Sequence, residues 1–287
     1  MTLKTGHKIL LFGLALVALL LVVGIQSSLA VAAENQGRAE AERISRAVFA
    51  KAQEVAVMQE QLEAEEGRQA AAQSVQLLQD KLEAISDGDI LMLVNPWHPM
   101  PEDYVPTLQL LNTNDGHSLD ERCADAFWQM YVDCGEAGNL PLIISSYRNY
   151  WMQYELYERK ILRLMYDEGV SAEEAPAVAA LSVAVPNTSE HQVGLAVDII
   201  DMLYTNLDEG QENTSTQKWL MENSWRYGFI LRYPNGTTDI TGIIYEPWHY
   251  RYVGLDAAKK IYDMDLTLEE YLIYLGFREP HQAAVNS

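Results

Sequence analysis

Ser189-Glu190-His191-Gln192-Val193-Gly194-Leu195-Ala196-Val197-Asp198-Ile199-Ile200 is the stretch on which the fold turns. Read as a strand from Gly194 to Ile200, it alternates. Leu195, Val197 and Ile199 share one face, and Gly194, Ala196 and Asp198 share the other. The first face is core. The second is a row of small residues leading to a carboxylate, an open floor over which His191 can curl back toward Asp198. Downstream, a second predicted strand over 242–245 delivers Glu246 and then His249, with Pro247 marking an edge or the end of regular pairing. Short strands among helical runs, without the regular rhythm of a parallel sheet, predict an α+β domain with a small antiparallel sheet and flanking helices.

Two imidazoles and a carboxylate, His191, His249 and Asp198, are a donor set suited to Zn²⁺, and three protein ligands leave a fourth position for the water that a hydrolase activates. Glu246 then has the role of taking a proton from that water and passing it to a leaving amine. Each residue alone has a plainer explanation: a strand end for Asp198, loop positions for the histidines, a solvated side chain for Glu246. Their grouping in two apolar segments carries more weight. The strings SEHQVGLAVDI and EPWHYRYVG resemble the two zinc motifs of VanY-type D-alanyl-D-alanine carboxypeptidases, members of the LAS group of zinc peptidases. Ser145-Ser146-Tyr147-Arg148, followed by Gln153, resembles that family's SGYR segment and downstream glutamine, and residues 228–234 (GFILRYP) resemble the stretch before the last ligand. The blocks stand in the family's order, and the resemblance runs from about residue 90 to 275.

The resemblance implies an LAS peptidase-like fold, Zn²⁺ held by His191, Asp198 and His249, and Glu246 as catalytic base. It implies that Arg148 binds the substrate carbonyl or terminal carboxylate, which a fixed guanidinium can polarise or pair with through two hydrogen bonds. Gln153 and Ser189 are implied to line the substrate pocket. The glycine of SGYR is Ser146 here, a change that bears on the turn aiming Arg148 and removes no reactive group. The activity implied is removal of the terminal D-alanine from peptidoglycan stem peptides. L,D-carboxypeptidase, dipeptidase or endopeptidase action on the same polymer, and a non-catalytic wall-binding scaffold, stay open because the motifs do not separate them.

The 287 residues are 48% hydrophobic, enough for a real core, and their formal charge of -21 argues against nucleic acid as a partner, since phosphate binding needs clustered Lys and Arg. Lys4 and Lys8 precede an apolar run from Ile9 to Ile25 that meets a membrane, as an uncleaved anchor or as a signal cleaved near Ala30, Ala32 and Ala33. Either way residues after about 33 are expected outside, held at the cell membrane by a single pass or secreted. Residues 34–86 contain no proline and predict a long helical stalk. Its apolar heptads, Val48, Val55, Met58, Leu62 and then Val75, Leu78, Leu82, Ile85, slip register around Gly67, so weak self-association and a solvated single helix both fit. Three regions result: 1–33 as the membrane segment, 34–86 as the stalk, and 87–287 as the zinc carboxypeptidase domain.

Several further features carry definite expectations. Ile90 to Val94 reads as a strand. Cys123 and Cys134 fall in a predicted helix over 119–135, which separates them by about 16 Å, too far for a disulfide, so both read as buried thiols. Trp97-His98 repeats the Trp-His pair of the second motif but sits among prolines, and a loop role is expected. Tyr147, Tyr150, Trp151, Tyr154 and Tyr157 recur at the spacing with which an amphipathic helix packs on a sheet, and predict a core face.

Overall fold

A computed structural model describes residues 38–86, 88–113 and 115–277. The chain divides into two units, Met1–Leu77 and Leu78–Ser287. In the first, residues from 38 onward belong to helix α1 (Arg38–Ser86), which passes through Gly67 without a break. One glycine costs a helix only about 1 kcal/mol, and no proline interrupts the run. Met58 and Val75 in the first unit, and Leu78 in the second, are exposed, so the helix is solvated at these heptad positions. Among the described residues no helix is long and apolar enough to cross a membrane, and the apolar run from Ile9 to Ile25 lies outside them.

The second unit is α+β, with small antiparallel sheets and flanking helices. A two-stranded sheet of β1 (Leu108–Leu110) and β2 (Ser118–Asp120) leads into α2 (Glu121–Glu136). Asp120 caps α2: its carboxylate accepts from the Arg122 backbone N–H at 3.0 Å, a contact worth about 1 kcal/mol. Then come β3 (Pro141–Ser145), α3 (Tyr150–Tyr166), α4 (Ala175–Ala180), α5 (Glu190–Val193), β4 (Ala196–Asp201), α6 (Ser215–Asn223), β5 (Phe229–Leu231), α7 (Thr238–Thr241), β6 (His249–Tyr252), α8 (Leu255–Met264) and α9 (Leu268–Tyr274). The main sheet has the order β3-β4-β6-β5, and each neighbouring pair is antiparallel.

Alternation on β4 sorts the sheet as the sequence predicts. Val197 and Ile199, with Tyr250 and Phe229, pack under α2 against Cys123, Ala124, Phe127, Met130 and Cys134. Full burial of one such large apolar side chain contributes roughly 1.5–3 kcal/mol, so this layer fixes the position of β4. Both cysteines are buried free thiols. The opposite face of β4 and β6 carries the cross-strand pairs Ala196 with Arg251 and Asp198 with His249.

Three expectations are corrected. Residues 242–245 form no strand: Gly242, at φ 80°, ends α7, and the backbone N–H groups of Ile244 and Glu246 bond to Leu181 O and Tyr233 O instead of a ladder. The strand begins at His249 itself. Residues 88–91 form a 3-10 turn, and no strand follows before Asn95, whose backbone closes a small bridge with His98. The helix holding the aromatic run forms, but Tyr150 (40% exposed), Trp151 (69%) and Tyr154 (40%) face outward and contact one another. That helix, α3, packs on α4 through Tyr157, Ile161, Leu164 and Met165, so Tyr157, the last of the run, does pack inward as expected.

Candidate metal and catalytic site

Two local structures aim the site. Glu190 to Val193 make a single helical turn that Gly194 ends at φ 81°, with its N–H bonded to His191 O at 3.2 Å. A Cβ there would meet the Asp120 backbone and Pro106 at 3.3 Å, so a glycine is needed for both conformation and space. This turn points His191 back over β4. The second is the turn Glu246-Pro247-Trp248-His249, closed by His249 N–H donating to Glu246 O at 3.1 Å, with proline at the position that favours its fixed φ. Glu246 and His249 thereby stand side by side, Glu246 Oε2 3.9 Å from His249 Nδ1.

His191, Asp198 and His249 converge: one ligand atom from each lies within 4.8 Å of the other two, and all three residues are buried. His191 Nε2 is 3.2 Å from Asp198 Oδ2, and His249 Nδ1 is 3.0 Å from Asp198 Oδ1. The surroundings fit a divalent cation. His191 Nδ1 donates to the Ser146 carbonyl at 2.7 Å, which leaves Nε2 as the lone-pair nitrogen facing Asp198. On His249 the far nitrogen, Nε2, faces Glu190 Oε2 at 3.5 Å, longer than a good hydrogen bond, and neither atom has another partner among the described residues. A cation on Nδ1 makes that Nε2–H a donor aimed at a carboxylate, the arrangement that supports metal-bound histidines.

Electrostatics point the same way. Burial and the nearby Arg148 hold His191 down at about 4. His249 is also buried, but Asp198 and Glu190 outweigh burial and raise it to about 9, so a cation there displaces a proton. Burial, with Asp198 adding to it, pushes the Glu246 carboxyl up to about 8 against the pull of His249 and Arg148. A cation beside it works in the opposite direction and favours the carboxylate that a general base must be.

Arg148 enters from the loop after β3. Its Nε donates to Gln153 Oε1 at 2.9 Å and its Nη1 to Ser145 Oγ at 2.6 Å, while Gln153 in turn donates to Ala184 O at 2.6 Å. Nη2 has no protein partner among the described residues. Arg148, Ser189, His191, Asp198, Glu246 and His249 all line one cavity of about 510 Å³, with Tyr233 and Trp248. Gln153 is not among the residues lining that cavity, and both ends of its amide hold Arg148 and the Ala184 carbonyl. His98 is outside too, its Nδ1 within 2.8 Å of Asn95 Oδ1. Ser146, which stands where the resembled motif has glycine, is not at positive φ. Its hydroxyl accepts from Ser118 N–H at 3.2 Å and contacts His117 Nδ1 at 3.1 Å, so the substitution ties the Arg148 loop to β2.

Beneath the site lies a charge network that the sequence reading passed over. Glu190 Oε1 accepts from Arg232 Nε at 2.7 Å and Arg251 Nη1 at 2.8 Å, and Arg232 forks onto Glu269 at 2.7 and 2.8 Å. Both arginines are fully buried. Their signal was present in the quoted strings, as the arginines of GFILRYP and HYRYVG and the acid next to His191.

The family model described as VanY, D-alanyl-D-alanine carboxypeptidase, matches residues 116–255. A D-alanyl-D-alanine carboxypeptidase of Enterococcus faecalis is 43% identical over 184 residues, a match covering 63% of this chain and 65% of that protein, just under two thirds of its length. The crystal structure of a vancomycin-resistance D,D-pentapeptidase VanY variant in complex with Zn(II) is 42% identical, covers 63% of this chain and 98% of its own, and superposes with a TM-score of 0.57. This chain belongs to the VanY family. The LD-carboxypeptidase LdcB is similar as well, at 36% identity and a TM-score of 0.57, over 64% of this chain and 86% of its own. The matched VanY region holds the loop of Arg148, the turn of His191, and β4 to β6, so every residue of the constellation falls inside it.

Proposed function

We propose that this VanY-family chain is a zinc-dependent D-alanyl-D-alanine carboxypeptidase that trims the C-terminal D-alanine of peptidoglycan stem peptides. The observation that carries the reading is the convergence of His191, Asp198 and His249 beside Glu246 and opposite Arg148 in one cavity. Zn²⁺ bound by the three ligands supplies Lewis acidity toward water and the scissile carbonyl. Glu246 takes the proton from the attacking water and gives it to the departing amine of the terminal residue. Arg148, fixed by Gln153 and Ser145, offers Nη2 to the carbonyl or to the terminal carboxylate, so that little reorganisation is left for the reaction itself. Ser189, at the cavity wall, bounds the position of the leaving residue.

A second reading, L,D-carboxypeptidase action on the tetrapeptide, is favoured by the likeness to LdcB at a TM-score equal to that of the D,D-pentapeptidase. Incubation with defined penta- and tetrapeptide muropeptides, with released amino acids identified by mass, decides between them. Release of D-alanine from the pentapeptide is expected, and cleavage of internal bonds only would overturn both. Glu246→Ala is expected to retain its metal and lose turnover by at least ~100-fold. The apolar run Ile9–Ile25 and the helical α1 support a further proposal, that the enzyme works tethered on the outer side of the cell membrane.

A further inference from the structure

One side of the cavity is lined by Leu156, Arg159, Lys160 and Arg163 of α3. Their spacing of i, i+3, i+4 and i+7 makes a single stripe along the helix. Three of the four are cations in a chain of net charge -21, and none takes part in the constellation around the metal ligands. Arg163 pairs loosely with Glu168, Nε to Oε1 3.4 Å, both side chains about half exposed. Arg159 Nε donates to the Glu155 carbonyl of its own helix at 3.3 Å. Neither Arg159 nor Lys160 has a carboxylate within 4.0 Å among the described residues.

Lys160 is the telling member. It is half-buried, and burial together with Arg163 lowers its pKa, with Glu168 acting weakly the other way. A partly desolvated lysine beside another cation opposes folding unless an anion arrives to compensate it. The rest of the wall cannot supply one. Leu207, Ile243 and Ile244 are apolar, and the two cavity acids, Asp198 and Glu246, belong to the centre already described. From Leu156 to Arg163 the helix advances about 10 Å at 1.5 Å per residue. Roughly three residues of extended peptide span that length.

We propose that Arg159, Lys160 and Arg163 form a subsite for a carboxylate carried by the peptide substrate on the retained side of the scissile bond. The proposal rests on the peptidase reading above and adds to it a selection for acidic over amidated peptides. Opposite charge at a partly desolvated cleft wall gives both the attraction and its salt dependence.

Equilibrium binding tests it, using the full chain with Glu246→Ala so that peptides persist. The probes are two peptides ending in two D-alanines and differing in one group, a free carboxylate or its primary amide on a residue upstream of the bond. The carboxylate peptide is expected to bind roughly fivefold more tightly, with the preference shrinking at high ionic strength. Arg159→Gln with Lys160→Gln should bring the ratio to about one. Lys160→Arg should keep it, as should Lys259→Gln, which removes one cation on α8 where Lys259 pairs with Asp263. Equal affinities in the parent, no measurable binding of either peptide, or a preference that survives the double substitution overturns the proposal. Turnover by the chain with Glu246 intact is read separately: its absence alongside a preserved binding preference sinks the peptidase reading and leaves the subsite standing.

Discussion

Glu190→Gln removes one charge from the buried network while keeping nearly the same shape. The carboxylate accepts from two fully buried guanidiniums at 2.7 and 2.8 Å, both on Oε1, and its other oxygen faces His249 Nε2 at 3.5 Å. In the variant the amide oxygen can still accept from both arginines. What goes is the negative charge, which leaves Glu269 as the remaining acid on Arg232 and none on Arg251 among the described ion pairs. Breaking a buried pair by neutralising one partner costs about 3–5 kcal/mol, and because the acceptor oxygen survives, the lower end, about 3 kcal/mol, applies. An amide nitrogen toward His249 Nε2–H adds a donor facing a donor. With a urea slope near 3 kcal/mol/M for a domain of this size, the midpoint should fall by about 1 M. Urea titrations of wild type and variant, both stripped of metal, measure this directly. Zinc affinity should fall as well, by roughly 10- to 100-fold, since the group that orients His249 is lost. A midpoint within about 0.3 M of wild type would refute the idea that Glu190 is what makes two buried arginines tolerable.

Gln153→Ala releases Arg148 Nε without touching a metal ligand. The ratio kcat/KM should fall about 10- to 100-fold while zinc content stays at one per chain, and a parallel loss of metal would refute the positioning role. Removal of metal by a chelator should abolish turnover and lower the thermal midpoint, with both restored by added zinc, because a ligand bound only to the native state stabilises it by mass action. Both thiols should resist a chromogenic disulfide reagent at pH 8 and react on unfolding: burial pushes Cys134 up to about 12 and Cys123 higher still, so thiolate and access are both withheld. Fast reaction of either in the folded protein would contradict the core described around α2.

The residues of the candidate site were legible because their constraints are local. His191 needs the glycine-ended turn, Asp198 its strand parity, and Glu246 and His249 a four-residue turn with proline, and each is written within a few positions. The strands were less legible. Residues 242–245 and 90–94 are short apolar runs whose periodicity does not distinguish strand from buried loop, and their backbone partners lie far away in sequence. The aromatic run of α3 is legible only in part, since Tyr157 packs inward and Tyr150, Trp151 and Tyr154 do not: spacing reveals a stripe but not how far along it a neighbouring helix reaches. The helix buries Gln153 and Leu164 and leaves Trp151 outside. Glu190, Arg232 and Arg251 escaped notice because charge in a sequence reads as surface, and only the fold brings residues 42 and 61 positions apart into one buried cluster.

The pairing of Asp198 with His249 across neighbouring strands has a consequence for how the molecule is assembled. These two residues stand 51 positions apart, and β6 must slot between β4 and β5 before they meet. A slip of a single residue in that insertion would turn His249 into the layer beneath α2 and bring Tyr250 up in its stead. Capture of an ion at this site would therefore serve as an inspection of the finished sheet: a chain that has threaded β6 wrongly cannot bring the three ligands together.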